Sequence, residues 1–268
     1  MARQLKGGAA RVVTEQPSAV VTGAGGGIGG AAAARLAADG FRVWLADVDL
    51  PAATRAADGI AASGGWARAL HLDVSSEDSV THAFSEIAGE TDRLDALVNC
   101  AAVISTHRFD DIPADAWRRT HEVNVIGTYL CIREGLPLLR EAAPPSRIVN
   151  LASGAAKLPG PYTTPYHASK AAVISLTRSA AAALAPDILV NCVCPGVIDT
   201  PMWETIDRGL EVLGAPESAR FASRARMLPI GRAGTSEEVA DVISFLASRS
   251  SRYMTGEDVN VTGGSVMH

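Results

Sequence analysis

Ser18-Ala19-Val20-Val21-Thr22, followed without a break by Gly23-Ala24-Gly25-Gly26-Gly27-Ile28-Gly29, is the stretch on which the fold turns. Its first five residues are apolar or β-branched with no polar alternation, as a strand buried on both faces must be. The glycines that follow suit a tight turn. Ile28 to Asp39 is then Ala-rich with no internal proline, and Gly40 stands where a helix C-cap glycine belongs. A strand, a glycine turn and a helix in this order leave a helix N-terminus with free N–H groups above the turn, a ready site for phosphate oxygens.

The same rhythm continues outward. Apolar strand-like runs occur at Phe41–Ala46, Trp66–Leu72, Ala96–Asn99, Arg147–Leu151, Ile188–Cys194 and Asp258–Val261. Helix-compatible segments separate them: Pro51–Ser63, Ser76–Glu90, Trp117–Leu139 and Ala168–Leu184. Thr235-Ser236-Glu237-Glu238 has the spacing of a capping box and opens one more helix. Alternating strands and helices with uniformly apolar strands predict an α/β fold. We expect a single Rossmann-like, doubly wound parallel sheet of about seven strands, with helices on both faces. The rhythm breaks at about 201–232, where two short helical pieces are interrupted by Gly209, Gly214, Pro216 and Pro229. We read that segment as a short helical lid over the carboxyl ends of the strands. The organisation expected is an N-terminal extension at 1–16 and one catalytic domain at 17–268.

The 268 residues are 47% hydrophobic and 20% charged, which supports a sizeable core and excludes global disorder. A net charge of −5 has the wrong sign for a phosphate-backbone binder, so no nucleic acid is expected as partner. Met1–Gln16 carries basic residues but no continuous apolar run, and no stretch approaches the ~18 apolar residues of a membrane span. We expect no membrane association and a cytoplasmic location. Cys100, Cys131, Cys192 and Cys194 sit in apolar stretches and read as buried free thiols. Cys192 and Cys194 are expected on opposite faces of their strand. The histidines form no ligand cluster, and no metal is expected.

Asp47 lies eighteen residues beyond Gly29, at the end of the second strand, with Val48 beside it. A carboxylate near that offset accepts hydrogen bonds from an adenosine ribose and repels a 2′-phosphate, so NAD is expected over NADP. Arg42, earlier in the same strand, should point away from the glycine turn. Tyr166-His167-Ala168-Ser169-Lys170 puts a tyrosine and a lysine at i and i+4, adjacent on one helix face. A phenol has a reference pKa of about 10, and a nearby ammonium together with an oxidised nicotinamide is expected to pull it towards neutrality. Ser153 ends the fifth strand, where its hydroxyl would meet a substrate oxygen. Asn124 interrupts an apolar helical run, as a functional polar group would.

Taken together, the residues from about 17 onward resemble the short-chain dehydrogenase/reductase superfamily. The glycine turn, Asp73, Asn124, Ser153, the Tyr166–Lys170 pair and Pro195-Gly196-Val197-Ile198-Asp199-Thr200 occur in family order, with Ser153 and Tyr166 thirteen positions apart. The resemblance implies that Gly23, Gly25, Gly27, Ile28 and Gly29 cradle the pyrophosphate of NAD. Asp73 and Val74 would flank the adenine, and Asn99 and Ala101 the adenosine ribose. Pro195, Gly196, Ile198 and Thr200 would surround the nicotinamide. Tyr166 would be the general acid/base, Lys170 its modulator and a ribose contact, Ser153 the substrate-orienting hydroxyl, and Asn124 the anchor of a proton relay. Two places depart from the pattern. Asn99-Cys100-Ala101-Ala102 replaces Asn-Asn-Ala-Gly, and Thr262-Gly263-Gly264 replaces Asp-Gly-Gly, the latter expected to affect a subunit contact but not the chemistry.

Met202-Trp203 followed by Glu204 and Asp207 is similar to the lid start of sugar-alcohol and diol dehydrogenases of that family, and these side chains are candidate partners for several hydroxyls. Arg220, Arg224 and Arg226 read as a solvated face or as contacts for an acidic substrate or a phosphopantetheine carrier. The activity expected is hydride transfer between NAD and a secondary alcohol or ketone, the substrate a small polyol, diol or cyclic alcohol. The alternative is reduction of a 3-oxoacyl thioester on a carrier protein or coenzyme A. A non-catalytic NAD-binding regulator would lack at least one of Asn124, Ser153, Tyr166 and Lys170, and all four are present. The resemblance also implies a homotetramer.

Overall fold

The computed structural model describes residues 16–142 and 145–267; most of the N-terminal extension therefore lies outside the described residues. Strands β1 (Ser18–Thr22), β2 (Arg42–Asp47), β3 (Trp66–His71), β4 (Ala96–Asn99), β5 (Ser146–Leu151), β6 (Ile188–Pro195) and β7 (Asp258–Val261) form one sheet in the order β3-β2-β1-β4-β5-β6-β7. Every pair is parallel. The chain winds one way from β1 to β3 and the other way from β4 to β7. The point where it reverses, between β1 and β4, is where sheets of this kind open a crevice at their carboxyl ends.

Helices cover both faces. On one, α1 (Gly27–Ala38), α2 (Leu50–Ala62) and α9 (Ser236–Ala247) pack against Ala19, Val21, Val43, Leu45, Val98 and Val149. On the other, α3 (Glu77–Glu90), α5 (Gly127–Glu141) and α6 (Thr164–Leu184) pack against Val20, Trp44, Leu97, Ile148 and Val190. Successive strand residues enter opposite clusters because side chains alternate with period two, and both faces being dry is why the strands read as unbroken apolar runs. The same period corrects one expectation. Cys192 and Cys194 share a face and pack together against Ala152, Val173 and Ile174. The apolar side of α6 is thereby used up on the sheet.

Arg42 turns away from the glycine turn as expected, its guanidinium 4.2 Å from the Trp66 ring centre. The helix expected at Trp117–Leu139 is two: α4 (Ala114–His121) and α5, joined by a π-helical turn at Glu122–Ile126. α6 begins at Thr164, earlier than read, since Pro165 is tolerated in a first turn. The segment 201–232 holds α7 (Met202–Val212) and α8 (Phe221–Met227), a pair of short helices beside the crevice. The capping box of α9 is formed, with Thr235 Oγ1 accepting from the Glu238 amide at 3.2 Å and Glu238 Oε2 from the Thr235 amide at 2.9 Å. Among the described residues no helix is long and apolar enough to cross a membrane.

Candidate active site

A cavity of about 950 Å³ opens at the carboxyl ends of β1, β4, β5 and β6 and runs beneath α7 and α8. One end is built by the glycine turn. Gly23 has φ +65°, and a Cβ there would lie 2.8 Å from the Ala101 backbone, so only glycine brings β1 and β4 this close. A Cβ at Gly29 would overlap the Gly23 carbonyl oxygen, which lets α1 rise directly off the turn. Asp47 Oδ2 accepts from the Gly25 amide at 2.8 Å and Oδ1 from the Asp49 amide at 2.9 Å, so the carboxylate braces the turn while lining the cavity with Val48. Farther along the wall, Asp73 Oδ1 accepts from the Ser75 hydroxyl at 2.6 Å. That bond holds its carboxyl below the usual carboxylate range against the opposing pull of burial. Arg119 lines the same corner and donates to Ser75 Oγ at 2.8 Å.

The other end holds Ser153, Tyr166 and Lys170. Ser153 follows β5, its Oγ accepting from the Ala155 amide at 3.1 Å. Tyr166 stands in the first turn of α6 and Lys170 one turn later, with Nζ 5.6 Å from the phenol ring centre. Lys170 is buried and donates to the Leu151 carbonyl at 2.6 Å. Burial pushes the Tyr166 hydroxyl up to about 12, with a hydrogen bond to Ser153 offsetting part of the rise. Burial likewise pushes Lys170 down to about 8. The lowering expected from sequence required an oxidised nicotinamide as well as the ammonium, and the protein's own walls act in the other direction. Desolvation of a phenolate outweighs an ammonium spent on a backbone carbonyl, so the walls hold a protonated phenol.

Of the residues singled out by sequence, Gly23, Gly27, Ile28, Gly29, Asp47, Val48, Asp73, Val74, Ala101, Ser153, Tyr166, Lys170, Pro195, Gly196, Ile198 and Thr200 all line the cavity. Gly25, Asn99 and Asn124 do not. Gly25 acts through its amide to Asp47. The Asn99 side chain turns into the sheet and donates to Asn150 Oδ1 at 2.9 Å, leaving its backbone for any ribose contact. Asn124, fully buried in the π turn, accepts from the Val103 amide at 2.8 Å and donates to the Val103 carbonyl at 3.0 Å and Ser169 Oγ at 2.9 Å. Both of its N–H groups are engaged, and it clamps the segment after β4 to the helix carrying Tyr166 and Lys170.

Sequence reasoning missed the far wall. Leu158 to Thr163 lines the cavity, held by His167, whose Nδ1 lies 2.8 Å from the Leu158 carbonyl. His167 thus reaches the cavity, and the run Leu158-Pro159-Gly160-Pro161 was the available signal. Ser265 also lines it, and Gly196 packs on Thr262, where a Cβ would come within 2.8 Å. Thr262 thus packs behind Gly196, while Thr262, Gly263 and Gly264 themselves do not line the cavity. In the lid, Trp203 packs on Phe221 with ring centres 5.4 Å apart. Asp207 Oδ1 accepts from the Phe221 amide at 3.0 Å and ties α7 to α8. Glu204 and Asp207 border a small outer pocket and not the cavity. Among the described residues no group of three or more His, Cys, Asp or Glu side chains is placed to hold a metal ion.

The glycine cradle, the carboxylate at its rim and the helix N-terminus above it fit a dinucleotide, and the Ser153–Tyr166–Lys170 end fits proton transfer at an alcohol oxygen. Known proteins carry the same pattern. Residues 23–266 match the family model described as Enoyl-(Acyl carrier protein) reductase. The chain is 35% identical over 251 residues to a galactitol 2-dehydrogenase of Agrobacterium fabrum, covering 93% of this chain and 97% of that protein. It is 37% identical over 246 residues to a cyclopentanol dehydrogenase of a Comamonas species, covering 91% and 95%. The crystal structure of a short-chain type dehydrogenase/reductase from Mycobacterium marinum superposes with a TM-score of 0.85 at 32% identity, covering 94% of this chain and 96% of that one.

Proposed function

This chain belongs to the short-chain dehydrogenase/reductase superfamily and is an oxidoreductase acting on CH–OH donors, and from that premise we propose that it oxidises a small polyol, diol or cyclic secondary alcohol with NAD. The observation that carries the reading is one cavity holding Asp47 beside the glycine turn and Ser153, Tyr166 and Lys170 at its other end. Bound NAD supplies the hydride acceptor and a positive charge. Gly23, Gly27, Ile28 and Gly29 cradle its phosphates, and Asp47 takes the ribose hydroxyls and excludes a 2′-phosphate. Asp73, Val74 and the Asn99 and Ala101 backbone bound the adenosine, and Pro195, Gly196, Ile198 and Thr200 the nicotinamide.

Ser153 holds the substrate oxygen against Tyr166, whose phenolate, favoured once the positive charge of the oxidised cofactor is in place, would receive the hydroxyl proton in oxidation and, as the phenol, return it in reduction. Lys170 sets the charge beneath the phenol. Asn124 keeps α6 in register with the β4 exit and serves as a positioning residue. We read the protein as a cytoplasmic homotetramer organised as one catalytic domain with a lid at about 201–232. Exposed apolar residues on α5 and α9, Tyr129 and Phe245, support an assembly. Thioester reduction rests on the lid arginines and is opposed by Asp47.

The test is initial rates with NAD and NADP separately, in the wild type and in Asp47→Ala. The wild type should favour NAD, and the variant should lose about tenfold or more of that preference, the worth of a charged hydrogen bond. An unchanged ratio would remove Asp47 from cofactor selection.

A further inference from the structure

Beyond Ser153 and Tyr166 the cavity wall is largely apolar, with Ile104, Met202, Trp203, Ile206 and Leu210, and its polar side chains include Tyr162, Thr163, His167, Ser218 and Arg224. Among the described residues the only carboxylates on the cavity wall are Asp47 and Asp73, both at the glycine-turn end. Glu204 and Asp207, the side chains on α7 suited to hydroxyl groups, face the outer pocket, and Asp207 is occupied by the Phe221 amide. A polyol drawn into this half would leave water for a wall that returns few hydrogen bonds, a net loss for each buried hydroxyl.

One cation stands in that half of the wall besides the catalytic lysine. Arg224 of α8 lines the rim with its guanidinium 5.7 Å from the Trp203 ring centre. No carboxylate is paired with it among the described residues. The indole face steadies the planar group while its N–H edge stays free for a bidentate partner, the arrangement in which arginine reads a carboxylate.

The geometry points to a substrate that is a ring-bearing, largely apolar secondary alcohol carrying one carboxylate. The ring lies on the Ile104–Trp203–Ile206 wall and the carboxylate meets Arg224. The inference rests on the dehydrogenase reading above. The carbinol C–H would leave as hydride to NAD, the hydroxyl proton would pass to the phenolate form of Tyr166, and the product would be the cyclic keto acid with NADH.

The experiment compares hydroxycyclohexanecarboxylate, cyclohexanol and galactitol as substrates with NAD, in the wild type, Arg224→Gln and Arg224→Lys. Alongside, calorimetry follows binding of cyclohexanecarboxylate, which cannot turn over. The wild type should show KM lowest for the hydroxy acid, about tenfold below cyclohexanol, a gap in line with one exposed charge-assisted contact. Galactitol should be the poorest of the three. R224Q should close the gap, R224K retain part of it, and acid binding should weaken in parallel. A preference for galactitol, or acid binding indifferent to R224Q, would overturn the inference. Absence of turnover with every alcohol, beside Arg224-dependent acid binding, would instead defeat the dehydrogenase reading and leave the anion subsite standing.

Discussion

Tyr166 and Lys170 are adjacent by sequence, and their spacing on a helix was enough to pair them. Their protonation was not readable, because burial opposes both charged forms. Tyr166→Phe removes the hydroxyl proposed to exchange a proton with the substrate oxygen that Ser153 holds. It should cut kcat by about 10²–10⁴-fold while leaving NAD affinity within about twofold, checked by steady-state rates and cofactor titration. Lys170 offers a pH test. Its folded-state pKa of about 8 lies below that of an unfolded lysine, so between the two values the unfolded chain binds more protons and stability rises with pH. From pH ~7.5 to ~9.5 the wild type should gain about 2 kcal/mol relative to Lys170→Met, measured by denaturant unfolding at each pH. A flat difference would mean that the ammonium is not desolvated.

At the scale of elements, the π turn at Glu122–Ile126 matters most. It interrupts what reads as one helix and lets Asn124 face the β4 exit and α6 together, where it meets three partners. Asn124→Ala would leave the Val103 amide, the Val103 carbonyl and Ser169 short of partners inside the core. The expected cost is about 2–4 kcal/mol in unfolding free energy, with kcat reduced because the helix carrying Tyr166 loses its register. Equal stability in the variant would show that water replaces the clamp. Asn124 stood out in sequence as a polar residue in an apolar run, but its partners Val103 and Ser169 lie on other elements, and no spacing rule reaches them. The lid differs in the same way. Trp203 and Asp207 stand one turn apart on α7, yet Asp207 spends its carboxylate on α8, which only the packing of two short helices decides.

For the molecule as a whole, the crevice exists because the sheet reverses direction between β1 and β4. A ligand bound there to the folded state alone should raise its stability. NAD at about a hundredfold its Kd should add about 2.7 kcal/mol, a rise in Tm of roughly 5–10 °C by thermal unfolding. Gly29→Ala should abolish that rise, since a Cβ there collides with the Gly23 carbonyl and deforms the turn. Most of the fold was legible in advance, since all seven strands were read to within a residue at each end. Parallel strands buried on both faces write an uninterrupted apolar pattern, and the glycine turn marks the first crossover. What failed was local: the start of α6, the break between α4 and α5, and the shared face of Cys192 and Cys194.

Sequence by itself determined the family and the reaction class, since the glycine turn, Asp47, Ser153 and the Tyr166–Lys170 pair depend on residue type and on short spacings that backbone geometry converts directly into position. Tertiary structure alone decided which polar groups the cavity retains. Asn99 and Asn124 turn into the interior, Glu204 and Asp207 face outward, and Arg224 stays at the rim. The physical reason is that a buried polar group goes wherever a partner satisfies it, and those partners come from segments distant in the chain, brought together only when the sheet and the lid pack.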